Sequence, residues 1–204
     1  MTVKLQLALD FITLRRALKV ADEAVAAGVQ ILEAGTPLIK SEGLESIRAL
    51  RARFPNHSIV ADLKTMDAGR IEVEAAAKAG ANVAMVLGGA SDSTILECVE
   101  VARNYGVQIG VDLLGVPNPV ERAKQISQWG VHYINIHCPI DDQMRAMDPF
   151  ETLRQVSQAV DVPIMVAGGI NSETAPKAVE SGASVVIVGG AITKAEDARK
   201  ATET

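Results

Sequence analysis

The chain is poor in cysteine, in aromatic residues and in long apolar stretches. Its two cysteines, Cys98 and Cys138, are too few for a disulfide framework and too isolated for a zinc site. Aromatic residues make up 3% of the 204 residues and hydrophobic residues 48%, so the core is expected to be aliphatic. No apolar run approaches the roughly 18 residues of a membrane span, which argues against a membrane protein.

Basic residues are also in the minority. The chain has 20 Lys and Arg residues against 25 Asp and Glu residues, a net charge of -5 at pH 7. A nucleic-acid-binding surface requires a basic stripe, so neither nucleic acid nor a membrane is an expected partner. Residues 1–6 lack the charged and apolar regions of a signal peptide, and the cytoplasm is the expected compartment.

Glycines that stand just before apolar runs recur along the chain, about 26 residues or twice that apart: Gly28, Gly80, Gly106, Gly130 and Gly182. Runs after Pro55 and Pro163 fill the two double gaps, and residues 3–9 add a first, which gives eight apolar segments. Stretches of helical periodicity separate them, and this alternation is typical of parallel βαβ units. The pattern predicts one domain over residues 1–204, a (β/α)8 TIM barrel, with an open doubly wound sheet as the alternative.

Ionisable residues stand at the ends of five predicted strands. They are Asp10, Glu33, Asp62 with Lys64, Asp112 and His137. The alternation of side chains along a strand places all of them on the barrel-facing side, at the end where TIM barrels have their active sites. Buried charges are costly unless paired, so a shared site is favoured. For single residues the alternatives are a helix cap, a structural Asp62–Lys64 ion pair, or a core histidine.

The residue types suggest a chemistry for this site. Asp10, Glu33 and Asp62 offer the carboxylate oxygens that Mg²⁺ prefers, and Lys64 between them can neutralise a developing anion. His137 is the natural base because its unperturbed pKa lies near neutral pH.

Two pairs of glycines follow the last two predicted strands: Gly168 with Gly169, and Gly189 with Gly190. Barrels commonly bind phosphate after strands seven and eight, where glycines let backbone N–H groups approach an anion. We therefore predict a phosphorylated ligand. Neither a Walker A loop nor a dinucleotide fingerprint is present.

The sequence resembles the orotidine-monophosphate-decarboxylase suprafamily of phosphate-binding barrels. The resemblance spans essentially the whole chain, and its specific signature is Asp-x-Lys-x-x-Asp, here Asp62, Lys64 and Asp67. Within the suprafamily the chain is most similar to the 3-hexulose-6-phosphate synthases, through residues 5–10, 33–39, 61–69 and 166–169. That resemblance implies a Mg²⁺-dependent lyase that reversibly joins formaldehyde to D-ribulose 5-phosphate, giving D-arabino-hex-3-ulose 6-phosphate.

The resemblance also implies roles for single residues. Glu33 and Asp62 would bind the metal beside Asp10. Lys64 would stabilise an enediolate oxygen, and His137 would move the proton at C1 of the sugar. Asp112 and Asp10 would contact the substrate, the paired glycines would bind its phosphate, and Asp67 would reach into the partner's site of a homodimer.

Two alternatives remain at this stage. The related 3-keto-L-gulonate-6-phosphate decarboxylases share the metal and the enediolate, but their pattern has Glu at position 112 and Arg at positions 140 and 190, where this chain has Asp112, Ile140 and Gly190. A non-catalytic phosphosugar-binding barrel is the second alternative, against which the intact catalytic residues argue. Cys138 and Pro139 depart from the small residues of the synthase pattern, so the loop after strand six is expected to differ in shape.

Overall fold

Eight parallel strands close on themselves in the computed structural model, which describes residues 2–139 and 148–204. In chain order they are β1 (Lys4–Leu9), β2 (Ile31–Ala34), β3 (Ser58–Thr65), β4 (Val83–Leu87), β5 (Gln108–Asp112), β6 (Tyr133–His137), β7 (Ile164–Ala167) and β8 (Val185–Val188). Each strand pairs with its neighbour in sequence, and β1 also pairs with β8, where Gln6 lies opposite Ile187. In an open sheet β1 and β8 would not pair with each other, so the predicted TIM barrel is confirmed.

Helices surround the barrel. The described residues contain ten of them: α1 (Leu14–Ala26), α2 (Thr36–Glu42), α3 (Glu45–Arg53), α4 (Gly69–Ala79), α5 (Asp92–Tyr105), α6 (Pro119–Ser127), α7 (Phe150–Ser157), α8 (Ala175–Glu180), α9 (Gly190–Thr193) and α10 (Ala198–Glu203). None of these helices is long and apolar enough to cross a membrane.

The recurring glycines end helices, as the sequence pattern predicts. Gly80 and Gly106 follow α4 and α5 with φ angles of 102° and 65°, a left-handed conformation that glycine adopts without steric cost. The chain then turns directly into the next strand. The second repeat differs from a simple strand–helix unit, because Gly43 (φ 65°) separates two helices, α2 and α3.

The strands present two faces with different surroundings. Residues such as Leu9, Leu32 and Val111 point outward and pack with the helices in the main apolar core. A second and smaller apolar cluster lies on the inner face and includes Val60 and Met165. The inner face is therefore available for polar side chains near the strand ends, which is where the sequence predicts them.

Candidate active site

One cavity of about 1150 Å³ opens at the carboxyl ends of the strands. It is lined by all the ionisable residues predicted at strand ends and by all four predicted phosphate-binding glycines: Asp10, Glu33, Asp62, Lys64, Asp112, His137, Gly168, Gly169, Gly189 and Gly190. Of the predicted site residues, Asp67 alone is absent from this lining. The strand-end pattern thus brings together residues that lie as far apart in sequence as Asp10 and Gly190.

An irregularity in β3 directs Lys64 into the cavity. Ala61 is opposite Ala84 of β4, but Thr65 is opposite Val86, so β3 spans more residues than its partner over this interval. Lys64 itself has a φ angle of 48°, a left-handed conformation that is rare for a residue with a side chain. The sequence predicts that Asp62 and Lys64 share one face of a regular strand. It does not indicate the bulge through which the structure brings Lys64 to the cavity.

A continuous set of hydrogen bonds joins four of the predicted residues. The Nζ of Lys64 donates to Asp62 Oδ2 at 3.0 Å and to Asp112 Oδ2 at 3.2 Å. The same oxygen of Asp112 lies 3.0 Å from Nδ1 of His137. Asp112 Oδ1 accepts from the backbone N–H of Leu114 at 2.9 Å, so protein donors engage both carboxylate oxygens of a side chain that is 1% exposed.

The proposed metal-binding carboxylates each have a polar neighbour that the sequence did not single out. Thr36, the first residue of α2, donates from Oγ1 to Asp62 Oδ2 at 2.7 Å. Gln6 on β1 donates from Nε2 to Glu33 Oε2 at 2.5 Å. Both neighbours line the cavity, and their contacts restrict how the two carboxylates can turn.

Two acids of the cavity, Glu33 and Asp10, have raised pKa values. Burial, followed by the charges of Asp62 and Asp10, raises the pKa of Glu33 well above its usual value. Burial and the charge of Asp62 likewise raise the pKa of Asp10. Burial is therefore the main cause of both shifts, and the charge of Asp62 adds to it at each carboxyl, while the charge of Lys64 acts in the opposite direction.

Lys64 and Asp112 are each held in the charged form. Burial alone would lower the pKa of Lys64, but the charges and hydrogen bonds of Asp62 and Asp112 outweigh it and raise that pKa. Burial alone would raise the pKa of Asp112, but the hydrogen bond and charge of His137 and the charge of Lys64 lower it. An ammonium group and a carboxylate therefore lie side by side next to the imidazole.

The paired glycines lie where β7 and β8 end. Gly168 and Gly169 have φ angles of 100° and 72°. A Cβ on Gly168 would be 2.3 Å from the carbonyl oxygen of Cys138, so this position has no room for a side chain. A Cβ on Gly189 would be 3.7 Å from Asp10 Oδ2, which places the predicted phosphate end directly beside the acids.

Two lysines at this opening are absent from the sequence prediction. Lys40 on α2 and Lys194, which follows α9, line the cavity, and both are exposed. A Cβ built on Gly190 would be 3.9 Å from Nζ of Lys194, so the lysine extends over the backbone of that glycine. Neither lysine stands at a strand end, since Lys40 is in α2 and Lys194 directly follows α9, so the strand-end pattern could not identify them.

Asp67 lies outside the cavity on an exposed segment after β3. Its Oδ1 accepts from the N–H of Ala68 at 2.7 Å. Met66 and Ile71, on either side of it, are 54% and 70% exposed. Within one chain Asp67 therefore takes no part in the site, and its predicted action across a dimer interface remains a prediction.

No three His, Cys, Asp or Glu side chains within residues 2–139 and 148–204 converge as a metal cluster.

Beyond His137, Cys138 donates its N–H to the carbonyl of Ala167 at 3.0 Å, and Pro139 lines the cavity. Ile140, one of the three positions that separate the two enzyme patterns, lies outside the described residues.

Comparison with known proteins supports the expected family. The model of the orotidine 5'-phosphate decarboxylase / HUMPS family matches residues 3–204. The chain is 39% identical over 195 residues to the 3-hexulose-6-phosphate synthase of Mycobacterium gastri, covering 96% of this chain and 94% of that one.

Solved structures give a similar result. A crystal structure of a 3-hexulose-6-phosphate synthase matches with a TM-score of 0.94 and 38% identity, over 98% of this chain and 97% of that one. The 3-keto-L-gulonate-6-phosphate decarboxylase of Vibrio cholerae matches with a TM-score of 0.86 and 28% identity, over 99% and 94% of the two chains.

Proposed function

The chain belongs to the orotidine 5'-phosphate decarboxylase / HUMPS family, and from that membership we propose that it is a lyase of the 3-hexulose-6-phosphate synthase type. The reaction is the reversible aldol condensation of formaldehyde with D-ribulose 5-phosphate to D-arabino-hex-3-ulose 6-phosphate. The observation that carries this proposal is the hydrogen-bonded set Asp62–Lys64–Asp112–His137 in one cavity. It combines a carboxylate, a cation and a base, which enediolate chemistry requires.

His137 acts as the base through Nε2. Because Asp112 is ionised and can only accept hydrogen bonds, its 3.0 Å contact requires the proton of the neutral imidazole to be on Nδ1. This leaves Nε2 without a proton and able to take one from C1 of the sugar. The resulting enediolate then attacks the carbon of formaldehyde through C1, and the alkoxide formed from the formaldehyde oxygen takes the proton back from the imidazolium of His137.

Lys64 acts as an electrostatic group and does not form a Schiff base. Its raised pKa keeps the amine protonated, and a protonated amine is no nucleophile. An ammonium group already oriented by Asp62 and Asp112 can stabilise the negative charge that develops on the enediolate oxygen.

Glu33 and Asp62 fit a magnesium ion. They offer only oxygen donors, and Mg²⁺ is commonly held by one or two carboxylates together with waters and substrate oxygens. Burial raises the pKa values of Glu33 and Asp10 most, and the charge of Asp62 raises both further; a divalent cation would offset that repulsion. When bound, Mg²⁺ would polarise the carbonyl and hydroxyl oxygens of the sugar and so make C1–H more acidic.

Asp67 supports a homodimer. It lies on an exposed segment flanked by the apolar side chains of Met66 and Ile71, and it contributes nothing to its own cavity. We infer that this surface meets a second copy and that Asp67 reaches into the partner's site. Gel filtration with Met66→Glu tests the assembly, because a buried charge at the interface should yield monomers.

The test of the proposed reaction is formaldehyde consumption with ribulose 5-phosphate, in Mg²⁺ and then in chelator. Consumption that depends on metal and is lost in His137→Ala would support the synthase. The control is His57→Ala, since His57 precedes β3 at the opposite end of the barrel. Carbon dioxide release from 3-keto-L-gulonate 6-phosphate without formaldehyde consumption would indicate the decarboxylase instead. Binding of ribulose 5-phosphate without exchange of its C1 proton would indicate a non-catalytic binder.

A further inference from the structure

Two buried amide side chains on the inner face of the barrel each have an oxygen without a hydrogen-bond partner among the described residues. Gln6 on β1 is 1% exposed and Asn135 on β6 is 3% exposed. Both line the cavity, yet Oε1 of Gln6 and Oδ1 of Asn135 accept no bond from residues 2–139 or 148–204. An unsatisfied buried acceptor costs about 1–3 kcal/mol, so native proteins nearly always give such atoms a partner.

The orientation of the Gln6 amide is fixed by its other end. Nε2 donates to Glu33 Oε2 at 2.5 Å, and this contact places Oε1 on the other side of the amide group. The oxygen of Gln6 is therefore directed away from Glu33 and remains available in the cavity.

The surroundings indicate which kind of ligand these oxygens can take. Their neighbours in the cavity lining include the apolar side chains of Ala8, Met85 and Ile187, which offer no donor. A phosphate dianion presents acceptor oxygens and would be repelled, whereas a hydroxyl group donates a hydrogen bond. The two amide oxygens thus suit the polyhydroxylated part of a ligand, and the glycines at the ends of β7 and β8 suit its phosphate.

We propose that the amide oxygens of Gln6 and Asn135 bind hydroxyl groups of the phosphosugar, and that Gln6 also acts as a positioning residue for Glu33. This proposal rests on the proposed function, whose substrate supplies the hydroxyl groups. The contact with Glu33 allows an experiment to separate the role of Gln6 from that of Asn135. Gln6 contacts a proposed metal ligand.

The experiment measures three dissociation constants by calorimetry, for ribulose 5-phosphate, for inorganic phosphate and for Mn²⁺. The variants are Gln6→Met and Asn135→Leu, which keep the approximate shape of each side chain and remove its polar atoms. Met85→Leu is the matched control, because it changes an apolar side chain of the same cavity at similar volume. Circular dichroism and thermal melting establish that each variant is folded.

Both amide variants should weaken ribulose 5-phosphate binding about tenfold, which is the loss of one hydrogen bond, and should leave phosphate binding unchanged. The affinity for Mn²⁺ should fall in Gln6→Met and stay constant in Asn135→Leu. Unchanged sugar binding in both variants, or an equal loss of phosphate binding, would overturn the hydroxyl assignment. Unchanged Mn²⁺ binding in Gln6→Met would overturn its positioning role.

Gln6→Ala replaces Gln6→Met if the latter does not fold. The proposed function can be refuted without refuting the hydroxyl site. This is the outcome if the wild-type protein binds ribulose 5-phosphate through these amides but consumes no formaldehyde. A wild-type protein that does not bind ribulose 5-phosphate overturns both.

Discussion

Asp112→Asn should reduce turnover about a thousandfold while the protein remains folded. Asn has nearly the same shape as Asp, but it replaces one acceptor oxygen with an NH₂ group. Oδ1 accepts from Leu114 N–H, and Oδ2 accepts from Lys64 and contacts His137. The single amide oxygen of Asn cannot replace both carboxylate oxygens. In one orientation the NH₂ group faces the two donors Lys64 and His137, and in the other orientation it faces the N–H of Leu114.

In the first orientation, no acceptor remains beside His137 Nδ1, so nothing holds the imidazole in its Nδ1–H tautomer. The imidazole can then satisfy the new NH₂ group only by accepting at Nδ1, which puts its proton on Nε2 and abolishes the base. General bases contribute about 10²–10⁴ in rate. A factor of about 10³ corresponds to about 4 kcal/mol of activation free energy.

The assay is the turnover number for formaldehyde consumption, together with exchange of the C1 proton of ribulose 5-phosphate in D₂O, followed by NMR. The control is Asp22→Asn, because Asp22 pairs with Arg53 on the surface at 2.7 Å, away from the cavity. An Asp112→Asn protein that turns over within threefold of the wild type, with the same pH profile, would refute the assignment of the His137 tautomer.

Three further predictions concern the loop after β3, the opening of the cavity and a buried thiol. Ala68 has a φ angle of 52°, so Ala68→Gly should leave the free energy of unfolding unchanged or raise it by up to about 1 kcal/mol in urea titrations. Gly69→Ala should lower it by about 1–3 kcal/mol, since the new Cβ would be 2.4 Å from Cys98 Sγ; equal stability of the two variants would contradict this. Lys194→Gln should raise the KM for ribulose 5-phosphate several-fold at low salt with little change in kcat, and an unchanged KM would argue against contact with the phosphate. Burial raises the pKa of the Cys98 thiol to about 12, so in a Cys138→Ala background a thiol reagent at pH 8 should label the protein only in denaturant, and rapid labelling of the folded protein would contradict that placement.

The sequence predicts the barrel well because its signals are local. A glycine such as Gly80 is typical of the left-handed residue that ends a helix, and the short apolar run after it favours a strand. Alternation along each strand then decides which side chains face inward. The same reasoning predicts that Asp10, Glu33 and His137 share one site, and all three line one cavity.

What the sequence could not predict depends on tertiary contacts. The left-handed conformation of Lys64 arises from a shift in register between β3 and β4, and no residue nearby signals it. Thr36 looks like the start of a helix, and only the folded chain shows its hydroxyl against Asp62. The partners of Asp112 could not be deduced either, since they are at positions 64, 114 and 137 along the chain.

The division of the strands into an outward and an inward face has a consequence for how such a barrel can evolve. The outward side chains, such as Leu32 and Val111, pack with the helices in the large apolar core that stabilises the fold. The inward side chains near the opening line the cavity, and several of them bond to one another. New specificities can therefore arise by substitution inside the cavity while the core stays intact, and inherited diversity in this scaffold should accumulate on one side of each strand.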